Sequence, residues 1–206
     1  FDYIAYLVRC ADREWAFTDA WYRYAFSIAP KDRLRGELTP GYAGIGKEGI
    51  AHVQRMMPDV RIIYLIRDPV QRAWSQIRMN VARAGNWQTG AAPDQALLLS
   101  EAKKPEIWER GNYAANVADW ERAFGSGRQI HYVPYRRIAE NPADVHDLVE
   151  RHIAVEHSGR RSIEDRVNAS LAMAMSASLA AYLREKPAPQ YAFLQRHFGT
   201  EFVAQI

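Results

Sequence analysis

The chain has 206 residues, of which 48% are hydrophobic, 25% charged and 12% aromatic. This composition supplies enough apolar material for a folded core and excludes a disordered, collagen-like or coiled-coil protein. The 27 lysines and arginines exceed the 24 aspartates and glutamates by only three, so the charge argues against a nucleic-acid partner while allowing a local anion site.

Few sequence features report a cellular location. Cys10 is the single cysteine, so an internal disulfide is impossible and nothing requires an oxidising compartment. No apolar run approaches the roughly 18 residues that a membrane-spanning helix needs. We therefore expect a cytoplasmic protein with no membrane partner.

Two apolar runs predict strands, and the intervening segments predict helices. The stronger strand is Val60–Ile66, a nearly continuous β-branched and aliphatic run; the second is Gln129–Val133, and a short one is expected over Leu34–Leu38. Helical spacing and capping signals predict helices over residues 11–28, 47–57, 69–84, 93–103, 105–124, 142–154 and 170–185. Since strands alternate with helices, we predict an α/β fold: an open parallel sheet flanked by helices, with a helix-rich C-terminal part.

An arginine stands at the carboxyl end of the stronger strand, directly before a helix. Asp68 can cap that helix and Pro69 suits its first position. Ligands of open α/β sheets bind beyond the carboxyl ends of the strands, and a helix N-terminus favours anions. The planar guanidinium of Arg67 could hold two phosphate oxygens, with a hydroxyl from Ser75 two turns into the helix. The alternative is an ordinary cap in which Arg67 pairs with a carboxylate and Ser75 is solvated.

At these residues the sequence resembles the sulfotransferase family. The family signature for the 3′-phosphate of the donor PAPS (3′-phosphoadenosine 5′-phosphosulfate) is a hydrophobic strand, Arg-Asp-Pro, and a serine eight residues after the arginine; Arg67 and Ser75 fit that spacing. Residues 36–42, Gly-Glu-Leu-Thr-Pro-Gly-Tyr, resemble the loop that lines the sulfuryl-transfer site in the bacterial and heparan-sulfate-type carbohydrate branches. The resemblance implies that Thr39 and Tyr42 line the substrate pocket.

Further stretches match the family in the same order. Residues 111–142 resemble its succession of a helix, a strand and an Asn-Pro-helix segment, and residues 166–170 resemble its loop near the adenosine end of the donor. The resemblance covers about residues 1–200 and implies a P-loop-NTPase-like sheet. It also implies an enzyme that moves a sulfuryl group from PAPS to a hydroxyl or amine of a small-molecule or carbohydrate acceptor, without a metal.

Two parts of the family's machinery have no match in the sequence. The Gly-rich, Lys-bearing loop for the 5′-phosphosulfate and the usual catalytic base would both lie before Phe1. We therefore expect a single domain, residues 1–206, that is truncated at its N-terminus. Glu37 is the remaining acidic candidate for the base; otherwise it orients the loop or the acceptor. The Gly-Lys stretch over residues 41–47 is interpreted as a turn before a helix rather than a P-loop.

Other function classes stay open beside the enzymatic one. A non-catalytic nucleotide-binding or interaction domain of the same fold would also lack the loop and the base, and a P-loop kinase-like phosphotransferase would share the fold but use Mg²⁺. No histidine stands at metal-ligand spacing with supporting carboxylates or thiols, so no metal site is expected. Tyr113, Trp120 and Phe124 recur at helical spacing and are interpreted as core residues rather than a stacking platform.

Overall fold

A computed structural model describes residues 18–27, 29–30, 32–85, 94–156 and 173–206. The chain divides into two compact units, Phe1–Thr39 and Pro40–Ile206. The prediction of a single truncated domain stays a prediction.

In the first unit, helix α1 spans Asp19–Ser27 and buries Trp21 and Ala25. It confirms the C-terminal part of the helix predicted over residues 11–28, whose first seven residues lie outside the described ones. The short strand predicted over Leu34–Leu38 is wrong, because residues 34–39 have no regular structure. Leu34 and Leu38 are 60% and 98% exposed, so this segment has no buried apolar face to stabilise a strand.

The second unit combines helices with two strands. A 3₁₀ turn over Pro40–Gly44 precedes helix α2, Gly46–Met56. The elements that follow, in chain order, are β1 (Ile62–Ile66), α3 (Pro69–Arg83), α4 (Gln95–Ala102), α5 (Glu106–Glu109), α6 (Tyr113–Phe124), β2 (Ile130–Pro134), α7 (Tyr135–Glu140), α8 (Pro142–Ile153), α9 (Ala177–Glu185) and α10 (Ala188–Val203).

The two predicted main strands are confirmed, and they pair in parallel. The register runs from Ile62 opposite Ile130 to Ile66 opposite Pro134. Parallel pairing brings the carboxyl ends of β1 and β2 to the same edge of the sheet. The residues that follow each strand therefore start side by side, and this edge is where the candidate site lies.

Two hydrophobic clusters flank the strand-to-helix connection after β1. The first packs the strands against α6 and α10, and its buried members are Ile50, Tyr64, Ile66, Tyr113, Trp120, Phe124, Ile130 and Leu194. The interpretation of the aromatic residues of α6 as core is confirmed. The second packs α3 against α4 and α9, and its buried members are Ala73, Ile77, Val81, Leu98, Ala102, Ile107, Leu179 and Leu183. The turn between β1 and α3 thus connects one cluster to the other.

Most helix predictions are confirmed, but two differ from the structure. The helix predicted over 105–124 is interrupted between α5 and α6, where the backbone at Gly111 lies against the guanidinium of Arg72. The helix predicted over 170–185 begins only at Ala177, because residues 173–176 are non-helical and the Ser176 hydroxyl accepts a bond from the N–H of Leu179 at 3.3 Å.

Helices α7 and α10 were not predicted. Pro187 stands directly before α10 and does not prevent the helix from forming. Proline has no backbone N–H, but the first turn of a helix does not need one for its hydrogen bonds. None of the helices in the described part of the chain is long and apolar enough to span a membrane.

Candidate functional site

The turn between β1 and α3 is built around Asp68, which caps the helix as predicted. Its Oδ1 accepts a hydrogen bond from the N–H of Gln71 at 2.7 Å, and Pro69 occupies the first turn. Its Oδ2 accepts a bond from the hydroxyl of Tyr191 in α10, at 2.5 Å. Both carboxylate oxygens are therefore engaged in holding the turn.

Arg67 lies at the sheet edge, and its guanidinium is not neutralised by a described carboxylate. Among the described residues no ion pair joins it to Asp68 or to any other acidic group. Its Cζ lies 5.0 Å from the ring centroid of Tyr135, the first residue after β2, and its buried Nε has no hydrogen-bond partner in the described part of the structure. The described residues therefore do not support the alternative in which Arg67 pairs with a nearby carboxylate.

Other arginines share this region with Arg67. Burial lowers the pKa of the Arg72 guanidinium; the phenol of Tyr113 raises that pKa, and the charges of Arg110 and Arg67 lower it. Burial also lowers the pKa of Arg78, and the charge of Arg67 lowers it further. Arg67 is thus close enough to repel two other guanidinium groups. Such a concentration of positive charge is suited to a multiply charged anion.

Ser75 lies in α3, half-buried, one turn before Arg78. A helix turns by about 100° per residue, so Ser75 and Arg78 lie on the face opposite Ala73 and Ile77, which pack into the second cluster. Ser75 therefore lies on the same side of the helix as Arg78, and its contact with the donor stays a prediction.

The remaining predicted site residues are divided between the two units. In the first unit, Glu37 Oε1 accepts a hydrogen bond from the hydroxyl of Tyr22 at 3.2 Å, and Thr39 is the last residue of that unit. In the second unit, Tyr42 lies in the 3₁₀ turn and is 37% exposed. The carbonyl of Ala43 in the same turn accepts from the indole of Trp120 at 3.4 Å, which attaches the turn to α6. Residues 166–170 lie outside the described ones.

One cluster in α8 was not anticipated. His146, Asp147 and Glu150 each offer one atom that could bind a metal ion, and these three atoms lie within 4.8 Å of one another. The Nδ1 of His146 is 3.5 Å from a carboxylate oxygen of Glu150, a pairing of residues four apart on one helix. All three also have other interaction partners. They are explained as a side-chain network on α8, and the expectation of no metal stays an expectation.

Three tyrosines around Arg67 were missed as site residues. Tyr135 could have been found, since it directly follows the second strand and must start at the same sheet edge as Arg67. Tyr113 was interpreted only as core; it is buried, yet its hydroxyl contacts the backbone of Arg67. Tyr191 gave no signal, because it comes from a helix that the sequence analysis did not predict.

Comparison with known families covers the part of the chain that holds Arg67 and Ser75. The profile of the Sulfotransferase family matches residues 44–159, which are more than half of the chain. The matched part contains both strands and the connection from Arg67 into α3.

Two curated relatives from Mus musculus are each 27% identical to the matched part of this chain. The heparan sulfate glucosamine 3-O-sulfotransferase 3B1 of Mus musculus is 27% identical over 135 residues, which are 64% of this chain and 34% of that protein. The heparan sulfate glucosamine 3-O-sulfotransferase 6 of Mus musculus is 27% identical over 140 residues, which are 66% of this chain and 38% of that protein. The chain thus spans about a third of the length of these relatives.

A solved structure matches most of the chain. The sulfotransferase from Alicyclobacillus acidocaldarius superposes with a TM-score of 0.65 and 21% identity, over 87% of this chain and 70% of that one. This likeness confirms the predicted α/β fold with its parallel sheet and flanking helices. With the family match over residues 44–159, it follows that the chain belongs to the sulfotransferase family.

Proposed function

We propose that this protein is a PAPS-dependent sulfotransferase in which Arg67 and Ser75 hold the 3′-phosphate of the donor. The observation that carries the proposal is the placement of Arg67: it follows β1 at the sheet edge, no described carboxylate forms an ion pair with it, and its buried Nε has no hydrogen-bond partner among the described residues. A bound phosphate would accept charged hydrogen bonds from this guanidinium. The N-terminus of α3, which begins two residues after Arg67, favours the same charge.

The reaction would be an in-line transfer. The bond between sulfur and the donor phosphate oxygen breaks, a bond from sulfur to the acceptor oxygen forms, and the acceptor proton passes to a base. Positioning and charge stabilisation dominate such transfers. The 3′-phosphate does not react, so Arg67 and Ser75 would contribute binding energy that orients the donor rather than stabilising the leaving group directly.

For the base and the acceptor we extend the same proposal. Glu37 is our candidate base, and the hydroxyl of Tyr22 would fix the orientation of its carboxylate. Thr39 and Tyr42 would line the substrate pocket. Because the relatives include heparan sulfate glucosamine 3-O-sulfotransferases, we propose a carbohydrate hydroxyl as the first acceptor to test. A cytoplasmic location, and the lack of nucleic-acid, membrane and metal partners, are predictions of the sequence analysis.

Calorimetry with adenosine 3′,5′-bisphosphate and with ATP, each with and without Mg²⁺, tests the donor assignment. We expect metal-independent binding of the bisphosphate, weakened by Arg67→Ala by about 2 kcal/mol or more, as for a charged hydrogen-bonded contact. Arg83→Ala is the matched control, because Arg83 is an exposed arginine in the last turn of the same helix. It should leave the affinity unchanged.

The outcomes separate the proposed function from its rivals. A preference for Mg·ATP would replace the sulfotransferase assignment with a kinase-like phosphotransferase. Binding of the bisphosphate without transfer of labelled sulfate from PAPS to any glucosamine-containing oligosaccharide or simple alcohol would instead indicate a non-catalytic nucleotide-binding domain.

A further inference from the structure

The connection between β1 and α3 is held by two tyrosine hydroxyls from distant helices. We propose that Tyr113 and Tyr191 are positioning residues, which fix the Arg67–Asp68 turn so that the Arg67 guanidinium meets the 3′-phosphate of the donor. This inference rests on the proposed function, since it concerns how Arg67 is aimed at that phosphate.

Tyr113 bonds both backbone polar groups of Arg67. Its hydroxyl accepts from the N–H of Arg67 at 3.2 Å and donates to the carbonyl of the same residue at 2.9 Å. Tyr113 is the first residue of α6 and is only 2% exposed. Burial raises the pKa of this phenol, so the hydroxyl keeps the proton that it donates.

Tyr191 holds the neighbouring residue of the turn. Its hydroxyl donates to Oδ2 of Asp68 at 2.5 Å, while Oδ1 of the same carboxylate caps α3. The preceding residue, Gln190, ties this end of α10 to the start of α6: its Oε1 accepts from the N–H of Ala114 at 3.0 Å, and its Nε2 donates to Oδ1 of Asn112 at 3.1 Å. The two helices therefore hold the turn as a linked pair.

Backbone anchoring matters here because the side chain of Arg67 has few fixed contacts of its own. In the described part of the chain its guanidinium has the ring of Tyr135 at 5.0 Å but no ion pair. Arginine has several rotatable bonds, so the direction of the guanidinium depends on the position and orientation of the Arg67 backbone. A shift of the turn by a fraction of an ångström would spoil a two-oxygen contact with phosphate.

The test removes single hydroxyls and measures only the contribution of the 3′-phosphate. For each variant, the dissociation constant for adenosine 5′-phosphate is divided by that for adenosine 3′,5′-bisphosphate. This ratio reports the contribution of the 3′-phosphate. Tyr113→Phe should reduce the ratio about tenfold, which corresponds to the loss of about one hydrogen bond between Arg67 and the phosphate. Tyr191→Phe should reduce it in the same direction.

Tyr132→Phe is the matched control. Tyr132 packs against the same buried cluster as Tyr113, its ring centroid lies 4.9 Å from that of Phe198 in α10, and burial together with the neighbouring Glu121 raises the pKa of its phenol. A general loss of packing would lower the affinity for both nucleotides alike, so Tyr132→Phe should leave the ratio unchanged. If Tyr113→Phe does not fold, Tyr191→Phe carries the test alone, since it acts on the same turn.

The results distinguish this inference from the function on which it rests. A wild-type protein that binds both nucleotides equally, or an Arg67→Ala variant that keeps the full ratio, would remove the proposed 3′-phosphate site itself. A ratio that is lost in Arg67→Ala but retained in both Tyr113→Phe and Tyr191→Phe would leave that site in place and overturn only the positioning role.

Discussion

Gly111 and Arg72 are packed so closely that a Cβ atom at position 111 would lie 2.6 Å from Nε of Arg72. The Arg72 guanidinium also donates to the carbonyl of Ile107 in α5. These contacts attach the segment between α5 and α6 to α3. A side chain at position 111 would have to displace the guanidinium.

Gly111→Ala should therefore destabilise the protein. We expect the free energy of unfolding to fall by about 1 kcal/mol, because the Arg72 guanidinium has to give up its hydrogen bond to the carbonyl of Ile107 to make room. Urea unfolding measures the change. In Gly36→Ala, where an added Cβ meets nothing within 4 Å, the change should stay within about 0.5 kcal/mol. Equal effects at the two glycines would contradict the packing argument.

Ser75→Ala should weaken binding of adenosine 3′,5′-bisphosphate by about 1 kcal/mol, less than the loss in Arg67→Ala, because a neutral hydroxyl contributes less than a charged group. Titration calorimetry checks this order. Ser100→Ala serves for comparison, since the hydroxyl of Ser100 donates to the carbonyl of Leu97 in α4 at 2.8 Å, away from the site. An unchanged affinity in Ser75→Ala would remove this serine from the proposed contact.

Glu37→Gln tests the proposed base. If Glu37 accepts the acceptor proton, kcat should fall about 100-fold or more, while the affinity for adenosine 3′,5′-bisphosphate stays the same. Glu48→Gln, which neutralises another acidic residue in the first turn of α2, should preserve kcat. A rise in KM without a fall in kcat would instead assign Glu37 to orienting the acceptor.

His131 should make stability depend on pH. Burial lowers its pKa from the usual 6.5, and the neighbouring His152, Arg137 and Arg151 lower it further. The folded protein therefore binds this proton less readily than the unfolded chain. The contribution of His131 to stability is present above the unfolded pKa of about 6.5 and is lost as pH falls through the lowered folded pKa.

His131→Gln should consequently reduce the loss of stability on acidification. The measurement is urea unfolding of both proteins at about pH 7.5 and about pH 5, on either side of the ordinary histidine pKa. The variant should lose less unfolding free energy than the wild type between the two conditions. An identical loss would mean that His131 does not contribute to the acid sensitivity.

The parts of the fold that were predicted correctly are those coded by adjacent residues. The apolar run of β1, the cap at Asp68 and the first-turn proline are contiguous, so local rules place them without knowledge of the rest of the chain. The failures arose where distant packing decides. The backbone at Gly111, between α5 and α6, lies against the guanidinium of Arg72 in α3, and no spacing within residues 105–124 reports that contact.

The sequence by itself determined the strand, the turn and the helix that present Arg67 and Ser75, because spacing along one helix fixes which face a side chain takes. Only the tertiary structure decided what surrounds that arginine. Tyr113 is 46 residues away from Arg67, and Tyr191 is 123 residues away from Asp68. Contacts of this range depend on how α6 and α10 pack on the strands, and the shape of the buried core sets that packing rather than any local pattern.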